Sequence, residues 1–237
     1  MWPLPKLKNE IITLSLSPTE LALAWITKEK KRNKPALKAF KKIPITNCAF
    51  ENNVVFNPTF LYSHVADFLT YHSLHNAFIT CALSGPTIFE NIVAFTTTTP
   101  TPGDLNLENS HKKIWNTHYL YPTENAQFQF YVAGIPRELL FQYQLFTQSV
   151  SLNVLTITTP FAAQLQTYQH IHNNAVRQEQ LAHDMKQYNN DLSKTLTTNS
   201  LEQLVRIDSA NYYIDEKKDM PLLHTLAGLY FAEKLSD

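Results

Sequence analysis

Four glycines in 237 residues, Gly85, Gly103, Gly134 and Gly228, none close to another, constrain this chain more than anything it contains. Loops that wrap phosphates need several neighbouring positions at positive φ and close main-chain approach, which is work for clustered glycines. Neither a P-loop nor a dinucleotide-binding fingerprint can therefore be written into this sequence. Thirteen prolines against those four glycines predict connections of fixed φ rather than flexible linkers.

With 44% hydrophobic and 12% aromatic residues, the chain can bury one substantial core or two small ones. Its zero formal charge is unevenly distributed. Residues 1 to 44 carry ten Lys or Arg against Glu10, Glu20 and Glu29, so the rest of the chain holds an excess of seven acids. The basic run Lys28, Lys30, Lys31, Arg32 and Lys34 falls between two strand-like segments. It reads as a solvated hairpin tip, or as a patch for a membrane surface or an acidic partner. Cys48 and Cys81, without a CxxC or a His pair, fit a reducing compartment. Pro18 and Glu20 interrupt the apolar stretch 11–25 that a signal peptide would need, and no run reaches the roughly 18 apolar residues of a membrane helix. A cytosolic chain is expected.

Apolar runs at 11–16, 21–27 and 36–45, the first two joined by Ser17-Pro18-Thr19-Glu20, predict three antiparallel strands. Asn57-Pro58 supplies a helix start, and Phe60, Leu61, Val65, Phe68 and Leu69 continue it to about Ser73. Strands are expected at 77–83 and 88–95. A second module follows, with 105–119 helical, 128–132 a strand, 136–150 a helix and 153–159 a strand, an αβαβ order. Pro160 opens a further helix, continued by an exposed extension through about 170–190. Residues 189–200 read as a loop, 201–207 as a short strand or helical turn, and 221–235 as a closing amphipathic helix.

This order and several stretches resemble the actin-like pilus assembly family called PilM, whose relatives include FtsA and the cytoplasmic part of GspL. The stretches are Ile12 to Ser17 with Leu21 to Trp25, the helix 57–73, Phe78 to Gly85, Ile88 to Val93, Phe130 to Leu140, and Leu222 to Tyr230. The resemblance implies a mixed α/β (α+β) fold: one actin-like, ribonuclease H-like subdomain carrying an inserted αβ subdomain, with the second nucleotide-binding lobe missing. The divisions it implies are 1–98 plus 205–237 for the actin-like part, 99–160 for the insert, and 161–204 for a helical extension and polar loop.

Departures from the family pattern bear on function. Where the family's first turn carries an acidic residue and a glycine, this chain has Ser15 and Ser17, which hold Mg²⁺ poorly and lack glycine's backbone freedom. Only about 50 polar residues stand where the family has its second lobe, so closure over a nucleotide, and the metal-assisted phosphoryl transfer that depends on it, are not expected. No cofactor is expected. What the resemblance leaves is a scaffold at the cytoplasmic face of the inner membrane, in a pilus or secretion assembly complex, holding the tail of a membrane-anchored, PilN-type partner in a groove. Phe128, Phe130, Tyr131, Phe141 and Tyr143 are candidate groove residues beside their ordinary reading as core, and Arg137, unfavourable at a helix start, is a candidate for a partner's carboxylate. Self-association is left open.

Two other classes were weighed. His170-x-His172 with His183 is the nearest approach to a metal set, but positions i and i+2 of a helix diverge. No nucleophile elbow or His-Glu-x-x-His is present, and Asp208, Asp215, Glu216 and Asp219 beside Lys217 and Lys218 read as a solvated loop. An α+β enzyme with dispersed catalytic residues remains an alternative. So does a nucleic-acid-binding protein using residues 28 to 42, although a pI near 7.1 gives little attraction to phosphates.

Overall fold

Strands β1 (Glu10–Leu16), β2 (Glu20–Thr27) and β3 (Ala36–Pro44) form an antiparallel meander whose first turn is the two-residue Pro18-Thr19 link. Strict alternation gives the meander two apolar faces. Ile12, Leu14, Leu16, Leu21 and Leu23 point one way, while Ile11, Ala22, Ala24 and Ile26 point the other. Such a sheet must be covered on both sides. The computed structural model of the chain describes residues 10–28, 34–45, 50–51, 54–55, 58–74, 77–105, 112–123, 127–172, 178–187, 190–194, 196, 198–207 and 214–232.

After a short hairpin, β4 (Phe50–Glu51) with β5 (Val54–Val55), helix α1 (Pro58–Tyr71) leads to β6 (Phe78–Leu83), which joins β1 in parallel. Strands β7 (Phe89–Phe95), β8 (Lys113–Pro122) and β9 (Phe128–Pro136) make a separate antiparallel sheet in the order β7-β9-β8. Helix α2 (Arg137–Ser149) returns the chain to β10 (Asn153–Thr158), parallel to β6. Then come α3 (Pro160–Ile171), α4 (Gln178–Gln187), α5 (Thr198–Leu204), β11 (Arg206–Ile207) and α6 (Glu216–Ala232). The large sheet runs β10-β6-β1-β2-β3-β11. This mixed α/β sheet, with its first three strands antiparallel and the next two added in parallel beyond β1, is the actin-like, ribonuclease H-like arrangement expected from the sequence.

Helices α1 and α2 cover one face through Leu61, Val65, Phe68, Leu139, Tyr143 and Phe146. Helices α3, α5 and α6 cover the other. That second face is lined by Ala22, Ala24 and Ala82, which lets α6 lie close to the strands. Two helices end without glycine. Ser73 (φ 55°) and Ser151 (φ 56°) take the left-handed conformation, and the next amides close the ends, Leu74 N–H to Leu69 O at 2.8 Å and Leu152 N–H to Thr147 O at 2.9 Å.

Several expectations need correction. Residues 113–122 form a strand rather than a helix, so the segment order is ββαβ; Trp115, Thr117, Tyr119 and Tyr121 suit a strand once β9 is there to pair with. The stretch 170–190 is no exposed extension, because Leu181 and Met185 of α4 are buried against the small sheet and α3. Leu192 and Leu196 in the expected loop are buried as well, and α5 opens within it. The closing helix starts at Glu216, with Pro221 inside it, because Asp219 accepts a hydrogen bond from the Asp215 N–H (2.9 Å) and stabilises a start one turn earlier. Asp219 is consequently not a solvated loop acid: it is buried and ion-paired with Lys42 of β3. Strand β7 pairs in the small sheet and β10 in the large one.

Candidate functional site: the groove between the two sheets

The alternation of β9 sorts its aromatic residues. Phe130 and Val132, with half-buried Phe128, pack against Phe95 on one face of the small sheet. Tyr131 and Ala133 take the other face, toward α3. Tyr131 is the pin between the sheets. Its hydroxyl donates to Glu90 Oε1 of β7 at 2.5 Å and is hydrogen-bonded to the hydroxyl of Thr159, the residue that links β10 to α3. Its ring stacks with Phe161, at 4.4 Å and 22°, and with its cross-strand neighbour His118 of β8, at 6.2 Å and 24°. Burial first, and then the nearby Glu90 charge, push the phenol well above its ordinary pKa, so it stays protonated and donating. Burial pushes His118 down, favouring neutral imidazole.

A groove of about 190 Å³ lies beside this pin. Its walls are Ile114, Trp115 and His118 of β8, Ile135 of β9, Leu140 of α2 and Ile157 of β10. β8 and β10 are the outermost strands of their respective sheets. Ile114 is 51% exposed, so the mouth presents apolar surface to solvent.

A second depression of about 560 Å³ runs between α1 and α2, lined by Thr59, Tyr62, Gln142, Tyr143, Leu145, Phe146 and Ser149. Exposed Leu145 and Tyr62 flank it, and Phe141 is exposed nearby on α2. Tyr143 is buried, and that burial pushes its hydroxyl pKa up.

The six aromatic and basic residues singled out in the sequence thus fall in different places. Tyr131 lines the groove, Phe128 and Phe130 lie on the opposite face of the small sheet, and Tyr143 lines the α1–α2 depression. Phe141 and Arg137 are exposed on α2. Sequence reasoning missed Ile114, Trp115, His118 and Ile157, because the segment holding the first three was read as a helix. Of the basic run, Lys28 and Lys34 are exposed, and Lys30, Lys31 and Arg32 lie outside the described residues, as does Cys48. Cys81 is buried, and desolvation pushes its thiol up to about 12.

At the β1–β2 turn, Ser15 is buried and the Ser17 hydroxyl is taken up locally, bonding Thr19 Oγ1 and the Glu20 carbonyl at 3.3 Å each. Pro18 has no N–H to give, and the Thr19 N–H already points to Ser17 Oγ at 3.4 Å. Among the described residues, no three of His, Cys, Asp and Glu converge as a metal site, and no helix is long and apolar enough to cross a membrane.

No protein-family model matches the chain, and no curated protein matches it. Solved structures do. A chain of a PilM-PilN type IV pilus biogenesis complex is similar at 16% identity and a TM-score of 0.53, over 68% of this chain and 51% of that one. The cytoplasmic domain of EpsL, an inner membrane component of the type II secretion system of Vibrio cholerae, is similar at 10% identity and 0.39, over 65% and 57%. RuvC of Thermus thermophilus is similar at 9% identity and 0.42, over 95% and 96%. The first likeness is one of fold, and the chain spans about half the length of the protein it matches. The other two are too distant to carry an argument.

Proposed function

We propose that this chain is a non-enzymatic scaffold of a type IV pilus or secretion assembly complex, working at the cytoplasmic face of the inner membrane. It takes an extended cytoplasmic segment of a membrane-anchored partner of PilN type. The observation that carries this reading is the groove between the sheets, where an outermost strand of each sheet and an apolar rim meet. An extended peptide gains affinity from main-chain pairing with an outer strand and specificity from side-chain pockets such as the one beside Ile114 and Leu140. Phe141 and Arg137, exposed on α2, are further contacts for the partner, and the surface around Lys28 and Lys34 faces acidic lipid or protein.

The β1–β2 turn supports a role without nucleotide. A phosphate-binding turn needs free N–H groups or a metal-organising acid; here Pro18 lacks the donor, Ser17 and Thr19 satisfy each other, and Ser15 is buried beneath the helical layer. The partner test is photocrosslinking in the native host. A benzophenone side chain at Ile114 should capture a single-span membrane protein through its cytoplasmic tail, and one at Tyr71, exposed at the far end of α1, should not. Equal capture at both positions, or capture of nucleic acid alone, would contradict the scaffold reading.

A further inference from the structure

A pocket of about 550 Å³ opens at the carboxyl ends of the parallel strands β6 and β10, where open α/β sheets place their ligands. Ser84, Glu90, Asn91, Phe161, Gln164 and Asn190 are among its lining residues. The groups facing it have an uneven hydrogen-bond account. The Ser84 N–H is given to Leu16 O at 3.0 Å, and the Ile92 N–H to Asn91 Oδ1 at 2.8 Å. The Gln164 amide N–H groups go to Pro221 O and Thr225 Oγ1 at 3.2 Å each, and the Tyr131 hydroxyl goes to Glu90. Pro160, which opens α3, has no N–H at all. These donors are spent within the protein; the Ser84 hydroxyl and the Asn91 and Asn190 side-chain amides keep donors, and the Glu90 carboxylate and the Gln164 carbonyl keep lone pairs to offer.

Glu90 is the one charged side chain among the described residues lining the pocket. Its full negative charge outweighs the roughly half positive charge that the start of α3 presents. Beside it the Phe161 ring, backed by Tyr131, supplies an aromatic surface. A carboxylate, spare carbonyl oxygens and an aromatic face suit a group that is planar or compact, positively charged and carries only donors. A phosphate would meet the full charge of the carboxylate.

We infer that this pocket binds the guanidinium or ammonium group of an Arg or Lys side chain presented by the partner segment, inverting the charge preference of a nucleotide cleft. The inference rests on the scaffold reading for the origin of that side chain. Cytoplasmic segments flanking membrane spans are enriched in Lys and Arg, so a membrane-anchored partner brings the required charge.

The test is amide NMR on the full chain, titrated with acetyl-Ala-Ala-Arg-Ala-Ala-amide, its Glu counterpart, spermidine and adenosine monophosphate. The Arg peptide is expected to shift the amides of Ser84, Glu90, Asn91, Ile92 and Phe161, with Glu90→Gln weakening it about fivefold at low salt, as an exposed ion pair would. Glu90→Gln keeps an acceptor for Tyr131; Gln164→Ala, which leaves the Glu90–Tyr131 contact alone, is the second variant and should also weaken the Arg peptide. Shifts elsewhere, no shifts, equal binding of the Glu peptide, an unchanged affinity in Glu90→Gln, or stronger binding of the nucleotide would each overturn the inference. Binding of spermidine without the peptide would overturn a side-chain ligand in favour of a free polycation. Loss of the pocket contact with the membrane crosslink at Ile114 retained refutes this inference alone, whereas Arg-peptide binding without any membrane crosslink refutes the scaffold reading alone.

Discussion

Gly228 of α6 rests directly on the backbone of Ala163 in α3: a Cβ at position 228 would stand 1.7 Å from the Ala163 carbonyl oxygen and 2.8 Å from Thr167 Oγ1. The Thr167 hydroxyl donates to the His224 carbonyl at 2.6 Å across the same crossing. One of the chain's four glycines is therefore spent on a helix contact. Gly228→Ala gains helix propensity but forces the helices apart, for a net loss of about 2 kcal/mol by urea unfolding. An unchanged midpoint would mean that the helices do not touch there.

The scarcity of glycine has a cost at the helix ends. Ser151 holds a left-handed φ of 56° at the end of α2, a conformation that glycine adopts without strain. Ser151→Gly should stabilise the protein by about 0.5–1 kcal/mol, after allowing for the greater freedom of glycine in the unfolded chain. Ser73→Gly should behave alike, and the two effects should add, since the sites end different helices.

Lys42 of β3 pairs with Asp219, whose side chain is 5% exposed, and so fastens the start of α6 to the sheet. Lys42→Met strands a buried carboxylate and should cost about 2 kcal/mol, less than a fully buried pair because Lys42 itself is one-third exposed. The hydrogen bond that Lys42 donates to Asp219 raises the Lys42 pKa above its ordinary 10.5 despite opposing desolvation. A raised folded-state pKa gives stability that is complete below pH 10.5 and is lost as pH rises through the folded value. The difference between wild type and Lys42→Met should accordingly be constant from pH 7 to 10 and shrink above that.

Much of this fold was legible because its layers leave a period in the sequence. The apolar runs 11–16 and 21–27, buried on both faces, and the helical spacing of Phe60, Leu61, Val65 and Phe68 reflect burial in and on a sheet, and the structure reproduces them. Strand β8 was not legible: its residues alternate between exposed Ile114, half-buried Trp115 and exposed Asn116, so the apolar residue faces out and the pairing with β9 supplies the order. The groove was only partly legible for the same reason. Tyr131 was singled out through the family resemblance, but its role as a pin depends on Glu90, His118, Thr159 and Phe161, which come from three other elements and the β10–α3 link. Asp219 was misjudged because its partner lies 177 residues away.

Addition of millimolar Mg-ATP should leave the melting temperature unchanged. A ligand at 100 times its dissociation constant would add about 2.7 kcal/mol, a shift of several degrees. Such a shift would mean that Ser15, Ser17 and Pro18 do not prevent nucleotide binding.

Fluorescence anisotropy of labelled cytoplasmic tails, taken from single-span membrane proteins of the native host, tests the nucleotide-independent scaffold most directly. One tail should bind the purified chain with the same affinity in the presence and absence of Mg-ATP, and a bulky polar change at Ile114 should weaken it at least tenfold, about 1.4 kcal/mol. Failure of every tail to bind, or binding that appears only with nucleotide, would contradict the account.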